Sequence, residues 1–90
     1  MEKKVLTISS GSPTKETAGS IVKSFFDDGV SDIELRAIGA GAVNQMFKAM
    51  ATARSIFAMN GRDLACNPGY AETVIDGNKR TVMVAHLIIK

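Results

Sequence analysis

The first third of the chain changes from a strand pattern to a helix pattern. Residues 4–9, KVLTIS, are rich in β-branched side chains and predict a short strand. Ser12 and Pro13 then predict the N-cap and the first residue of a helix. Gly29 is expected to end that helix in a left-handed conformation. The apolar residues between these points recur at the spacing of one helix face: Ala18, Ile21, Val22, Phe25 and Phe26.

The rest of the chain predicts a strand, a long helix and a hairpin. Alternating apolar residues in 31–38 predict the strand, and the helix is expected at roughly 42–59. The extended segments 63–75 and 80–89 are joined by DGNK, a hairpin signal, and Pro68 predicts a break or a sheet edge. The predicted fold class is therefore α+β, a two-layer β-α-β-α-β-β sandwich with two helices on one face of a mixed four-stranded sheet.

The long helix has more apolar surface than one small sheet requires. Its apolar and small residues cover roughly 220° of the helix circumference, whereas a surface helix needs a stripe of ~100°. The first helix can cover part of this arc, and a second subunit is the natural cover for the rest. The alternative is that the two layers of one domain cover it all. We predict a homodimer whose interface includes Met46, Met50, Arg54 and Phe57.

Arg54 lies near the middle of that apolar arc, where an unpaired charge would be costly. Its guanidinium must therefore bind a carboxylate, extend into solvent or lie in the dimer interface. The first two arrangements are structural, and a contact with a ligand is the remaining alternative.

Composition limits the classes of function that the chain can have. Ninety residues predict one domain, 1–90, which is too small for separate cofactor and substrate domains. The net charge is +2, so any binding to nucleic acid has to come from local clusters of cations. Cys66 is the only cysteine, and no signal peptide or membrane-spanning run is apparent. We therefore expect a cytoplasmic protein that does not bind membranes.

Two glycines, Gly39 and Gly41, stand between the second strand and the long helix. A dinucleotide fingerprint needs a third glycine, but Asn44 occupies that position, and no Gly-Lys-Ser/Thr follows for a P-loop. Two interpretations remain. The glycines either open the start of the helix to an anion or only form a tight turn.

Groups that could carry catalysis are scattered along the sequence. His86 is the only histidine, is expected on a sheet face, and is distant in sequence from Cys66. Neither a Cys-His pair nor a metal site is indicated. We expect no enzyme activity and no cofactor.

Three segments carry a resemblance to a known family: AIGAGAVNQMFKAMATARS from residue 37, DLACNPGYAETVIDG from residue 63, and Arg80-Thr81. They resemble the stage V sporulation protein S family of bacteria, and the likeness runs over nearly the whole chain. The resemblance implies an Alba-like fold and a role in sporulation or cell development. Similar proteins of the Alba superfamily are dimers that bind DNA or RNA.

The resemblance also implies where nucleic acid would bind: at the first strand–helix loop, near the start of the second helix, and along the hairpin. The candidate residues are Ser12, Lys15, Arg36, Gly39, Gly41, Asn44, Lys48, Lys79 and Arg80. Gly11 and Ser12 replace an expected lysine in the loop, and Ile38 and Ala40 stand where Alba proteins often have basic residues. Few phosphate contacts imply modest affinity and a shallow salt dependence.

The predicted function is that of a small non-enzymatic regulator that binds DNA or RNA weakly through the backbone as a homodimer. One alternative is a protein-interaction module that kept the fold without useful nucleic-acid binding. A further alternative is a small phosphorylated ligand held at the glycine turn.

Overall fold

The computed structural model describes residues 2–90 and arranges them in two layers, one of strands and one of helices. The elements are β1 Lys3–Ile8, α1 Thr14–Phe26, β2 Asp32–Ala37, α2 Ala40–Met59, β3 Leu64–Ile75 and β4 Asn78–Ile89. The predicted order of strands and helices is therefore confirmed. β4 begins two residues earlier than the sequence pattern suggested, so only Asp76 and Gly77 separate the two hairpin strands.

The four strands form one mixed sheet in the order β1-β2-β4-β3. β1 and β2 are parallel, and β4 runs antiparallel to both of its neighbours. Because β1 and β2 are parallel, their carboxyl ends lie at the same end of the sheet, and each chain segment that leaves them leads into a helix. We call this the loop end of the molecule.

β3 is an edge strand, and this position accommodates Pro68 without a break. Asp63 and Lys90 exchange backbone hydrogen bonds of 2.9 and 3.2 Å. From this pair onward, hydrogen-bonded and non-hydrogen-bonded residue pairs alternate along the β3–β4 ladder. Pro68 and Ala85 form a non-hydrogen-bonded pair, so the Pro68 nitrogen points away from β4. The missing N–H therefore costs the sheet no hydrogen bond, and the predicted edge position is confirmed.

The core lies between the helices and one face of the sheet. Ile33 and Leu35, alternating on β2, are fully buried there, as are Ile21 of α1 and Phe57 of α2. The intervening β2 residues point to the opposite face, which no helix covers among residues 2–90 and which we call the open face. On this face, Asp32 Oδ1 lies 2.8 Å from His86 Nε2. His86 therefore lies on a sheet face, as predicted.

The start of α1 differs from the prediction. Ser12 does not cap the helix, because its hydroxyl instead accepts a hydrogen bond of 2.9 Å from the Ser9 N–H. Pro13 is the flanking residue, with extended backbone angles, and the helix begins at Thr14. The end of α1 agrees with the prediction, since Gly29 has a φ of 70°.

The hairpin extends beyond the rest of the sheet. The last residue pair between β2 and β4 is Ala37 with Met83, so residues 71–82 form a two-stranded ribbon that we call the arm. Asp76 and Gly77 have φ angles of 51° and 78°, as a two-residue type I′ turn requires. Because β4 is antiparallel to β2, the arm projects from the loop end, where both helices start.

Candidate nucleic-acid interface

The loop before α1 lies against the first turns of α2. Gln45 Nε2 donates a hydrogen bond of 2.8 Å to the Ser12 carbonyl oxygen. Ser12 is half-buried, and its hydroxyl is also used within its own loop. Ser12 therefore joins the two helix starts, whereas Lys15 in the first turn of α1 is exposed to solvent.

Gly39 and Gly41 have different roles. Gly39 has φ 89° and ψ 157°, a region that is essentially restricted to glycine, and a Cβ added there would meet nothing within 4 Å. Gly41 has no such φ, but an added Cβ would lie 3.0 Å from Ser10 Cβ. Gly39 therefore makes the turn and leaves its surroundings open, whereas Gly41 lets the first turn of α2 approach the loop between β1 and α1.

The start of α2 offers unpaired backbone donors. No side chain among residues 2–90 caps it, and its first turn contains no acidic residue. The Val43 N–H donates to the Gly39 carbonyl at 3.0 Å, so the N–H groups of residues 40–42 precede the helical ladder. Asn44 and Lys48 on the next turns are exposed. This end of α2 can therefore attract an anion.

Arg36 lies on the other side of the sheet from these groups. Its neighbours in β2, Leu35 and Ala37, are buried beneath the helices, so Arg36 points to the open face. Its Nε lies 3.1 Å from Glu34 Oε2 but has no hydrogen bond of good geometry within residues 2–90. The structure does not bring Arg36 together with Asn44 and Lys48.

Lys79 and Arg80 are both exposed on the arm, but they project to opposite faces of it. Lys79 pairs with Val74. It lies an even number of residues before Met83 and Ala85 in β4, so its side chain points to the same face as theirs, towards the helices. Arg80 pairs with Thr73 and points to the open face. One phosphate group cannot therefore contact both cations from the same side of the arm.

Two of the four predicted interface residues are buried inside the chain. Met46 is 5% exposed and Phe57 is fully buried, with its ring centroid 5.7 Å from that of Phe25. Both side chains stabilise the core of one chain and offer no surface to a partner. Met50 is half-buried and Arg54 exposed, and the neighbouring Phe47, which is 68% exposed, extends into solvent beside them.

Arg54 binds a carboxylate, one of the arrangements expected for it. Its Nε donates a hydrogen bond of 2.8 Å to Asp63 Oδ1, which also accepts one of 2.9 Å from the Leu64 N–H. The hydrogen bond from Arg54, followed by that from Leu64, lowers the pKa of Asp63. The same bond raises the pKa of Arg54.

Two grooves flank Phe47. The α2–β3 groove has a volume of about 220 Å³ and is lined by Phe47, Met50, Ala51, Arg54, Leu64, Ala65 and Cys66. The α2–β4 groove is shallower, with about 600 Å³, and is lined by Gly39, Ala40, Val43, Asn44, Phe47, Thr81 and Met83. The second groove opens at the loop end, between the start of α2 and the base of the arm.

Comparison with known proteins agrees with this architecture. Residues 4–90 match the family model described as Stage V sporulation protein S (SpoVS). The chain belongs to the SpoVS family. Its structure is also similar to that of Alba from Thermoplasma volcanium, with a TM-score of 0.65 and 11% sequence identity over 97% of this chain and 99% of that chain. The family and the Alba-like fold inferred from the sequence are both confirmed.

Sequence reasoning missed Phe47 in this SpoVS-family chain. The residue lies within the broad apolar arc of α2, and that pattern alone does not tell which apolar side chains the sheet covers.

Neither helix within residues 2–90 has the length and apolar composition needed to cross a membrane.

Proposed function

We propose that this SpoVS-family protein is a cytoplasmic, non-enzymatic regulator that binds the backbone of DNA or RNA weakly as a homodimer, in sporulation or cell development. The observation that carries the proposal is the position of the arm. It projects from the same end at which both helices begin, so its two cations and the backbone donors of α2 lie at one end of the molecule.

The arm supports backbone contact through its reach. At about 3.3 Å per residue, residues 78–82 carry the turn roughly 16 Å beyond the last pair with β2. Lys79 and Arg80 lie near that tip, on opposite faces, where no helix of residues 2–90 packs against them. A ribbon with one cation on each face is suited to lie between two phosphate-bearing strands, and such contacts carry no sequence information.

The homodimer is supported by the surface around Phe47. An isologous interface is self-complementary, so a group that projects from it needs a hollow on the same surface. Phe47 projects beside the α2–β3 groove, and Met50 and Ala51 line the groove between the helix and β3. In the proposed dimer, Phe47 of each chain packs into this groove of the other, and Arg54 lies at the edge with its charge already balanced by Asp63.

The alternative of a protein-interaction module is favoured by one observation. Glu72 and Asp76 lie on the arm with Lys79 and Arg80, so the formal charge of residues 71–82 is zero. An arm without net charge attracts a polyanion only through the local positions of its two cations.

A salt titration tests the proposal. The variant Lys79→Ala/Arg80→Ala is compared with Lys4→Ala/Lys90→Ala, which removes the same charge from exposed residues at the opposite end of the sheet. Affinity for labelled duplex DNA, single-stranded DNA and RNA is measured by fluorescence anisotropy at several salt concentrations. Circular dichroism first establishes that both variants are folded.

We expect the arm variant to bind every nucleic acid more weakly and the control variant to bind like wild type. The slope of log K against log salt should become shallower by up to ~0.9 for each duplex phosphate that the variant no longer binds. In a dimer each substitution is present twice, so the change in slope per substituted residue should double. An arm variant with unchanged affinity and slope would reject the arm as the contact surface and favour the protein-interaction module.

A further inference from the structure

The α2–β4 groove combines an aromatic wall with an apolar floor. Phe47 is 68% exposed although it is a large hydrophobic side chain, so much of its ring surface is free. Val43 and Met83, both half-buried, also line the groove. The groove is shallow and open, with a volume of about 600 Å³. A flat aromatic ligand could therefore lie against Phe47 and contact apolar groups at its edges.

Polar groups in the same groove suit the remaining parts of a nucleotide. Asn44 is exposed one turn before Phe47, and its amide can donate and accept hydrogen bonds with the edge of a base. Thr81 adds a hydroxyl from β4. The groove also reaches Gly39 and Ala40, where the free N–H groups of α2 begin and where the open space beside Gly39 leaves room for a phosphate.

We propose that the α2–β4 groove binds one unpaired nucleotide, with its base stacked on Phe47, the base edge at Asn44 and the phosphate towards the start of α2. The inference rests on the proposed nucleic-acid binding and deepens it, because it assigns a site for single-stranded substrates. A base within a duplex is stacked on both faces and paired at its edge, so it cannot occupy this groove without being extruded.

The α2–β3 groove differs in ways that exclude it as the nucleotide site. Among the described residues that line it, Arg54 is the only charged one and is already bound to Asp63, and none carries a side-chain amide or hydroxyl. It suits an apolar group from a second chain. Phe47 lines both grooves, so its ring can contribute one side to a partner chain and another to a base.

The variant Phe47→Leu tests the stacking contact, because it keeps an apolar side chain and removes the aromatic ring. Phe26→Leu is the matched control, since Phe26 is also exposed but lies at the far end of α1. The probes are a fluorescein-labelled oligodeoxyadenylate, the same strand in a duplex, and free AMP as competitor. Light scattering compares the assembly of both variants with that of wild type.

We expect a Phe47→Leu variant that assembles like wild type to weaken single-strand binding by about 5- to 150-fold, the range for removal of one stacked base, and to weaken duplex binding much less. Phe26→Leu should bind both probes like wild type. Displacement of the labelled strand by AMP would identify a free nucleotide as a sufficient ligand. Loss of binding in Phe47→Leu without AMP displacement would assign the site to a nucleotide within a strand.

A folded Phe47→Leu variant that binds single strands like wild type, while the arm variant binds them weakly, would overturn the nucleotide site and leave the proposed function intact. No binding of any probe by wild type at low salt would overturn both. If Phe47→Leu fails to fold or assemble, Asn44→Ala replaces it, because alanine suits an exposed helix position and Phe47 is retained. Equal single-strand binding by Asn44→Ala and wild type would then reject the site.

Discussion

The helix-covered body and the arm of this SpoVS-family protein are stabilised in different ways. In the body, Ile21, Leu35 and Phe57 have no solvent exposure, and the sheet and both helices contribute to one core. In the arm, Val74 is 64% exposed and Ile75 41% exposed. No helix within residues 2–90 packs against the arm. Its conformation therefore depends on the pairing of two strands and on a tight turn.

This difference separates the residues that stabilise the protein from those proposed to bind. Buried side chains of the body are already occupied by interactions within the chain, so altering them changes the free energy of unfolding. Side chains near the tip of the arm pack against little of the chain, which leaves Lys79 and Arg80 available to a ligand. Variants can therefore be chosen to test the two regions separately.

The largest expected effect comes from truncating the core. Phe57→Ala should lower the free energy of unfolding by about 3–5 kcal/mol, because it removes a fully buried ring and leaves a cavity. Val74→Ala on the arm should lower it by less than ~1 kcal/mol, since most of that side chain is already in solvent. Urea unfolding measures both. Similar decreases in the two variants would show that the arm is covered in solution, as by a second chain.

The next effect concerns the turn before α2. Gly39→Ala should destabilise the protein by about 1–3 kcal/mol, because Gly39 has a backbone conformation that other residues rarely adopt. Gly19→Ala is the matched control. It lies in α1 with open space around it, and alanine there should stabilise by about 0.5–1 kcal/mol. Thermal unfolding distinguishes the two. Equal melting temperatures would indicate that the turn relaxes without cost.

A smaller and more local effect is expected at the tip of the arm. Gly77→Ala places a Cβ at a φ of 78°, which should cost about 1 kcal/mol. The arm can distort without disturbing the core, so its amide hydrogens should exchange faster while those of β2 stay protected. Hydrogen exchange followed by NMR measures this. Faster exchange throughout the sheet would show that the arm and the body unfold as one unit.

The smallest effect concerns the ion pair between α2 and the base of the hairpin. The folded structure lowers the pKa of Asp63, chiefly through Arg54, so the pair stabilises the protein fully above the unfolded pKa of about 3.9. That stabilisation disappears as the pH falls through the lower, folded pKa. Both side chains are exposed, so the change should be slight.

Asp63→Asn should unfold at a slightly lower temperature than wild type at neutral pH, and the difference should disappear in acid. Melting curves across the acid range measure this. A difference that persists below the folded pKa would mean that the carboxylate is not the stabilising group. A much larger difference at neutral pH would indicate that the pair is buried by a second subunit.

Much of the fold follows from local sequence patterns. Strict alternation at Ile33 and Leu35 predicted β2 and its buried face, and Asp76-Gly77 predicted the turn of the hairpin. These features depend on neighbouring residues, because side-chain alternation and left-handed turn conformations are properties of a short stretch of chain. Pro68 likewise indicated a break or a sheet edge, since proline lacks a backbone donor wherever it stands, and the structure shows the edge.

The position of each surface depended on the tertiary structure. The apolar arc of α2 did not reveal that Met46 and Phe57 are buried while Phe47 is exposed, because that depends on how the helix lies over the sheet and against α1. The packing of both helices on the face of Leu35 and Ala37 placed Arg36 on the opposite side of the sheet from Asn44. The antiparallel pairing of β4 with β2 brought the arm to the loop end, a long-range contact that no local periodicity encodes.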